Sequence, residues 1–275
     1  MPSDKNVALY SDLSLTLTEA GTGRPCLILH GGGGPATVAG LASHLARTGH
    51  AITPVHPGWD GTHRPEWLTG IDDLALAYLH YLQDCGLRDV LVVGSSVGGW
   101  TAAEMAVRDT GGIITGLVLI DPVGVHVEAE PIRDFFALDA LGVAEYAWHD
   151  SARFYRAPET LPAGQVALQR DNMATLRLLA GDPNMHDPKL LRRLRRVDVP
   201  ALLLWGESDR IVTPAYGAAY AEAFGRGRLH VIPEAGHLPQ LERPEATFAA
   251  IDGYLRGTSA DPAGARLPGT VRRGR

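Results

Sequence analysis

A serine framed by glycines is the residue of this sequence best placed to do chemistry. Gly94-Ser95-Ser96-Val97-Gly98-Gly99 follows the apolar run Val90-Leu91-Val92-Val93 and precedes an alanine-rich segment with helical spacing, so it reads as strand, sharp turn and helix. In the pattern Gly-x-Ser-x-Gly only Ser96 fits the centre, because Ser95 would need small flanks where Val93 and Val97 stand. A serine on so tight a turn needs neighbours without bulk two positions to either side, which Gly94 and Gly98 supply. The turn also sets Ser96 at a helix N-terminus, where unpaired N–H groups and the positive end of the dipole favour developing negative charge. That suits nucleophilic attack through an oxyanion. A phosphate-binding turn is the rival, but Gly-Lys-Ser/Thr is lacking and the glycine spacing does not give Gly-x-Gly-x-x-Gly.

Serine is a weak nucleophile at neutral pH without an adjacent base, and histidine has an unperturbed pKa that lets it take and return a proton there. Two later loops, each after a strand-like run, carry partners. Ala201-Leu202-Leu203-Leu204-Trp205 leads into Gly206-Glu207-Ser208-Asp209, and Leu229-His230-Val231-Ile232 leads into Pro233-Glu234-Ala235-Gly236-His237. The chain order is Ser96, Asp209, His237, each at the end of a strand, which is where sites form in open α/β sheets. Glu207 in the same loop and Asp121 after the run Leu117-Val118-Leu119-Ile120 compete with Asp209 for the acid. A further buried run, Cys26-Leu27-Ile28-Leu29, ends in His30-Gly31-Gly32-Gly33-Gly34. Glycines at a strand end let the backbone approach a ligand and turn its N–H groups toward it, which reads as an oxyanion-binding loop. His56-Pro57-Gly58-Trp59-Asp60-Gly61 borders the site, with Trp59 read as a pocket wall and Asp60 as a turn residue.

The elements that must position these residues follow from periodicity. Asn6 to Tyr10 and Leu13 to Thr18 read as a hairpin with Leu13, Leu15 and Leu17 on the buried face, and Ala51 to Val55 as another strand. From Ile71, apolar positions Leu74, Tyr78, Tyr81, Leu82 and Cys85 keep helical spacing, with Asp72 and Asp73 in the first turn and Gly86 as the stop. Strands alternate with helices, which predicts an α/β fold with a mostly parallel, doubly wound sheet. The alternation breaks between Pro122 and Val197, a connection too long to be structureless inside a compact domain. Val166, Gln169, Met173, Leu176 and Leu179 mark a helix there, and Asp187-Pro188 reads as the N-cap and first residue of a second, Lys189 to Arg196, whose arginines face water. A closing helix carries Phe248, Ile251 and Leu255, entered at Pro244 and stopped at Gly257. The organisation expected is a core of 1–121 and 198–256, a helical lid insertion of 122–197, and a disordered tail of 257–275.

Composition bounds the function. With 275 residues, 45% hydrophobic, the chain can bury a sizeable core. A formal net charge of −6 gives no electrostatic case for nucleic acid as a partner. The polar N-terminus lacks a following apolar segment and nowhere do some twenty apolar residues run together, so no membrane association is expected and a cytoplasmic location is the default. Cys26 and Cys85 read as small buried hydrophobes, and the eleven histidines include no zinc-spaced cluster, so neither metal nor redox chemistry is expected.

Taken together, the His30-Gly-rich turn, the elbow at Ser96, Trp205-Gly206-Glu207-Ser208-Asp209 and Ala235-Gly236-His237 resemble the α/β-hydrolase superfamily, in particular its lidded serine esterase and carbon–carbon bond hydrolase branch. The resemblance spans Leu13 to Arg256 apart from the insertion. It implies that Ser96 attacks, that His237 is general base and then acid, and that Asp209 orients the imidazole and stabilises its charged form. It implies an oxyanion hole of the Val97 N–H with that of Gly32, Gly31 and Gly33 being the alternatives, and no cofactor. Members with aspartate at the nucleophile position include epoxide hydrolases and haloalkane dehalogenases, and Ser96 argues against both activities. In lidded members the insertion covers the nucleophile, which makes Phe135, Phe136 and Trp148 candidates, with Trp59, for substrate binding. A small-molecule ester or lactone of largely apolar character is the expected substrate. Carbon–carbon cleavage on the same residues is the alternative, together with a non-catalytic ligand-binding protein of the same fold. Oligomeric state, monomer or homodimer, is left open.

Overall fold

The computed structural model describes residues 2–259. The chain opens with β1 (Ser3–Tyr10) and β2 (Leu13–Gly21), an antiparallel hairpin whose Leu13, Leu15 and Leu17 are all buried. β3 (Arg24–Leu29), α1 (Ala39–Leu45), β4 (Gly49–Val55), α2 (Ile71–Asp84), β5 (Val90–Ser95), α3 (Val97–Arg108) and β6 (Ile114–Ile120) then alternate. The connection to the next core strand contains β7 (Gly124–Val125), α4 (Ala140–Ala147), α5 (Ser151–Phe154), α6 (Ala163–Ala180), β8 (His186–Asp187) and α7 (Leu190–Leu194). β9 (Ala201–Gly206), α8 (Pro214–Ala223), β10 (Gly227–Ile232), α9 (Pro239–Glu242) and α10 (Pro244–Ser259) complete the chain.

Eight strands form one sheet in the order β1-β2-β4-β3-β5-β6-β9-β10. The β1–β2 and β2–β4 pairs are antiparallel and every later pair is parallel. The central strands β3, β5, β6 and β9 read as continuous apolar runs because helices cover both faces, and their residues divide between two cores on opposite sides of the sheet. Leu27, Leu29, Val92, Leu117, Leu119 and Leu203 point to one, Ile28, Leu91, Val93, Val118, Ile120 and Leu204 to the other. With all of these strands parallel, the carboxyl ends of β3, β5, β6 and β9 come to one edge of the sheet, and the candidate loops leave from that edge.

Several local readings change. Cys26 is buried, but Cys85 is exposed: it is the C-terminal cap of α2, where the chain turns out into solvent toward Gly86. The second insertion helix begins at Leu190 with Lys189 as its N-cap, two residues later than Asp187-Pro188 implied, because Asp187 is held in the β7–β8 pair. Its carboxylate still meets the Lys189 N–H at 2.7 Å and Arg193 at 2.7 Å, while Leu190 and Leu194 are fully buried in the main core. α10 passes through Gly257 to Ser259 rather than stopping there, since an exposed helical glycine costs only about 1 kcal/mol. Residues 260–275 of the expected tail lie outside the described residues. No helix among the described residues is long and apolar enough to cross a membrane.

Candidate active site

The elbow is built as its glycines require. Ser96 adopts φ 55° and ψ −116°, a strained conformation for a residue with a side chain, and its N–H is held by the Ile120 carbonyl at 2.8 Å. A Cβ on Gly94 would stand 2.2 Å from the Gly98 carbonyl oxygen, and one on Gly98 2.3 Å from that of Leu29. Strand and helix cross so closely that neither position admits a side chain. Ser96 is the N-cap of α3, which leaves the Val97 N–H at the first turn without an intrahelical acceptor. Ser95 is fully buried and its hydroxyl accepts from the Gln240 amide at 3.1 Å, turned away from the other candidates.

Ser96, His237 and Asp209 meet, although 141 and 28 residues separate the successive pairs. Ser96 Oγ lies 2.8 Å from His237 Nε2, and His237 Nδ1 lies 2.7 Å from Asp209 Oδ2. The other Asp209 oxygen accepts the N–H groups of Ile211 at 2.8 Å and Val212 at 3.2 Å. A carboxylate receiving three donors carries its charge favourably even when buried. With the Nδ1 proton directed at Asp209, Nε2 is left as an acceptor for the serine hydroxyl. Ser96 and His237 each keep 8% of their surface exposed, whereas Asp209 keeps 2%. Ser96 and His237 are thus within reach of a ligand and Asp209 is not.

Of the rival acids, Glu207 is exposed and accepts the Glu234 N–H at 3.2 Å. Asp121 is fully buried at the end of β6, at φ 42°, and its Oδ1 accepts the Gly206 N–H at 2.9 Å. Its carboxylate, that of Asp209 and the His237 ring lie together, with one oxygen or nitrogen of each inside 4.8 Å of the others. Burial, and then the charge of Asp209, push the Asp121 carboxyl well above the usual carboxylate range.

The glycine loop rests on a buried relay of neutral side chains. The Tyr78 hydroxyl meets His56 Nδ1 at 2.6 Å, His56 Nε2 donates to the His30 carbonyl at 2.8 Å, and the His56 N–H donates to His30 Nε2 at 3.0 Å. His30 Nδ1 then donates to the Gly31 carbonyl at 2.7 Å. Each ring has one donor and one acceptor nitrogen in use, so protonating His30 would set its Nε2–H against the His56 N–H, and protonating His56 would displace the hydrogen that the buried Tyr78 hydroxyl donates to Nδ1. Burial holds His30 down to about 4 and His56 well below the ordinary imidazole value. Trp59 is a correction to the pocket-wall reading: it is fully buried, and its indole N–H donates to the Gly32 carbonyl at 3.0 Å. It supports the glycine loop from beneath. Gly34 closes a turn on the Gly31 carbonyl at 3.1 Å, which commits its N–H and leaves those of the earlier glycines as oxyanion candidates.

The segment between β6 and β9 reaches both sides of this site. Leu176 of α6 lies over Gly32, where an added Cβ would come within 2.8 Å of it. Asn172 clasps Asp60, accepting its N–H at 2.9 Å and donating to its carboxylate at 2.8 Å. On the other side the His237 N–H donates to the Ala147 carbonyl at 2.6 Å, and His149 Nδ1 meets the Ser208 hydroxyl at 2.7 Å. Phe135 and Phe136 are half-buried against the main core, edge to face at 5.8 Å, with the Arg177 guanidinium 4.8 Å over Phe136. Trp148 stacks on Phe154 at 4.8 Å.

Glu242 is a residue that pattern reading missed. Nearly buried on α9, its carboxylate accepts the N–H groups of His149 at 3.0 Å, Asp150 at 3.2 Å and Gly236. It ties the end of α4 to the loop that carries His237. The only local signal is an acid five residues after the histidine, which the sequence alone gives no reason to single out.

The sequence model of the alpha/beta hydrolase family matches residues 26–251. The chain belongs to that family. Among related proteins, the hydrolase is 26% identical over 253 residues to 2-hydroxy-6-oxo-6-(2'-aminophenyl)hexa-2,4-dienoic acid hydrolase of Metapseudomonas resinovorans, covering 86% of each chain. It is 25% identical over 273 residues to 2-hydroxy-6-oxo-6-phenylhexa-2,4-dienoate hydrolase of Comamonas testosteroni, covering 90% of this chain and 92% of that one. The same fold occurs in the solved structure of a meta-cleavage product hydrolase from Pseudomonas fluorescens IP01, at a TM-score of 0.75 and 16% identity, over 92% of this chain and 98% of that chain.

Proposed function

We propose that this alpha/beta hydrolase is a serine hydrolase that cleaves a small to medium, largely apolar carboxylic ester or lactone through an acyl-enzyme. The observation that carries the reading is the continuous hydrogen-bonded chain Ser96 Oγ, His237 Nε2, His237 Nδ1, Asp209 Oδ2, more deeply buried at its acid end than at its serine end. Ser96 Oγ attacks the carbonyl carbon while its proton passes to His237 Nε2, and the carbonyl oxygen becomes an oxyanion held by the N–H groups of Val97 and Gly32. Collapse breaks the bond to the leaving oxygen, which takes the proton from His237. Water then gives a proton to His237 and attacks the acyl carbon. Ser96 leaves with that proton, releasing the acid. The residues of 122–197 act as a lid, with Phe135, Phe136 and Trp148 lining the acyl side.

Carbon–carbon bond cleavage is the second reading, favoured by what the two named relatives act on. It uses the same nucleophile and oxyanion site and differs in how the lid holds the leaving carbon. One experiment separates the readings: p-nitrophenyl esters of increasing acyl length against a vinylogous diketone, with wild type and variants at Phe135, Phe136 and Trp148. Ser96→Ala should lower turnover by several powers of ten. Fluorophosphonate labelling at any residue other than Ser96, or ligand-induced thermal stabilisation without turnover, would sink the serine hydrolase reading in favour of a binding protein.

A further inference from the structure

Asp121 has no place in the chain of atoms from Ser96 to Asp209, yet it lies against it. It is fully buried, and only its Oδ1 has a hydrogen-bond partner among the described residues, the Gly206 N–H at 2.9 Å. Oδ2 is buried without one. The charged or titratable groups facing it are Asp209, His237 and, farther off, Glu242. Two buried carboxylates at such range do not both keep their charge, so a proton must reside on one. Asp209 receives three donors, from Ile211, Val212 and His237, whereas Asp121 receives one. The charge therefore belongs on Asp209 and the proton on Asp121.

Resting on the serine hydrolase reading above, we propose that Asp121 is a neutral carboxylic acid whose Oδ2–H donates to the Asp209 carboxylate, making it a positioning residue for the Asp209–His237 pair. The proton accounts for the orphaned oxygen. It fixes one negative charge, not two, behind the imidazole that must become positive during turnover. The upward displacement of the Asp121 carboxyl, caused first by burial and then by Asp209, points the same way. A consequence is a reserve anion. When Asp209 is made neutral, Asp121 loses the second of the two causes that hold its proton, burial remaining, and, standing within the same 4.8 Å cluster, takes over part of the stabilisation of His237.

The test is infrared difference spectroscopy of the full chain in D2O at pH 7, wild type minus Asp121→Asn, read in the carbonyl-stretch region of protonated carboxyls. A band present in wild type and lost in D121N is expected, and its absence from wild type overturns the proposal. Asparagine keeps a donor toward Asp209, so D121N should lose less than about tenfold in kcat, and Asp121→Leu more than about tenfold, the scale on which losing the partner of a metal-ligating histidine is felt. Asp209→Asn should retain more than the roughly 10⁴-fold-reduced activity of the serine-protease precedent, and adding D121N to it should cost more than D121N costs alone. Equal costs would refute the reserve role. The infrared band does not depend on turnover, so wild type that fails to label at Ser96 while keeping the band would sink the serine hydrolase reading and leave the shared proton standing.

Discussion

Replacing Glu242 by glutamine changes one atom and should loosen the loop that carries His237. Oε1 of the carboxylate accepts from His149 and Asp150, and Oε2 accepts from Gly236. The amide retains one acceptor. In its best orientation it keeps the oxygen toward His149 and Asp150 and sets an NH2 against the Gly236 N–H, leaving two donors face to face. An unsatisfied buried donor costs about 1–3 kcal/mol, and Glu242 is 7% exposed, so little solvent relief is available. Taking about 2 kcal/mol, and about 2–4 °C per kcal/mol for a chain of this size, the melting temperature should fall by about 4–8 °C. Since Gly236 precedes His237, kcat should fall with KM little changed; a shift of about 1 Å is worth roughly a hundredfold. Thermal melts and steady-state ester kinetics on E242Q check both halves. A variant melting within about 1 °C of wild type with the same kcat/KM would refute the reasoning.

Trp59→Phe removes the indole donor to the Gly32 carbonyl while keeping most of the buried ring, and should cost about 1 kcal/mol of stability together with a drop in kcat; a drop in stability alone would count against an oxyanion-binding role for the glycine loop that Trp59 supports. The His30–His56 relay predicts acid sensitivity. His30 is neutral when folded and titrates at about 4, whereas unfolded imidazole titrates near 6.5, so between these values the unfolded chain binds more protons. Stability is fully present above about pH 6.5 and falls as pH drops toward 4, by on the order of 3 kcal/mol from His30 alone. Urea midpoints from pH 7.5 to 4.5 should show a slope that is shallower in His30→Asn, and equal slopes would count against the relay.

What the sequence determined by itself is what local sterics and periodicity dictate. The elbow was legible because a side chain at Gly94 or Gly98 would strike backbone, a constraint written within five residues. The parallel sheet was legible because strands covered on both faces must be continuously apolar, and the order Ser96, Asp209, His237 followed from which loops end those strands. The short helices α4 and α5, at eight and four residues, left too little periodicity to be read. Tertiary structure decided the rest, because it depends on distances between segments far apart in the chain. Two acids at strand ends were visible as rivals, but only the adjacency of β6 and β9 in the sheet sets Asp121 beside Asp209 and makes them a pair. Trp59 in a turn-rich loop looked like a pocket wall until the approach of β3 and β4 put its indole beneath Gly32. Glu242 carried no pattern at all, because its partners are backbone N–H groups, which every residue but proline possesses and which no sequence can distinguish until the fold brings three of them to one carboxylate.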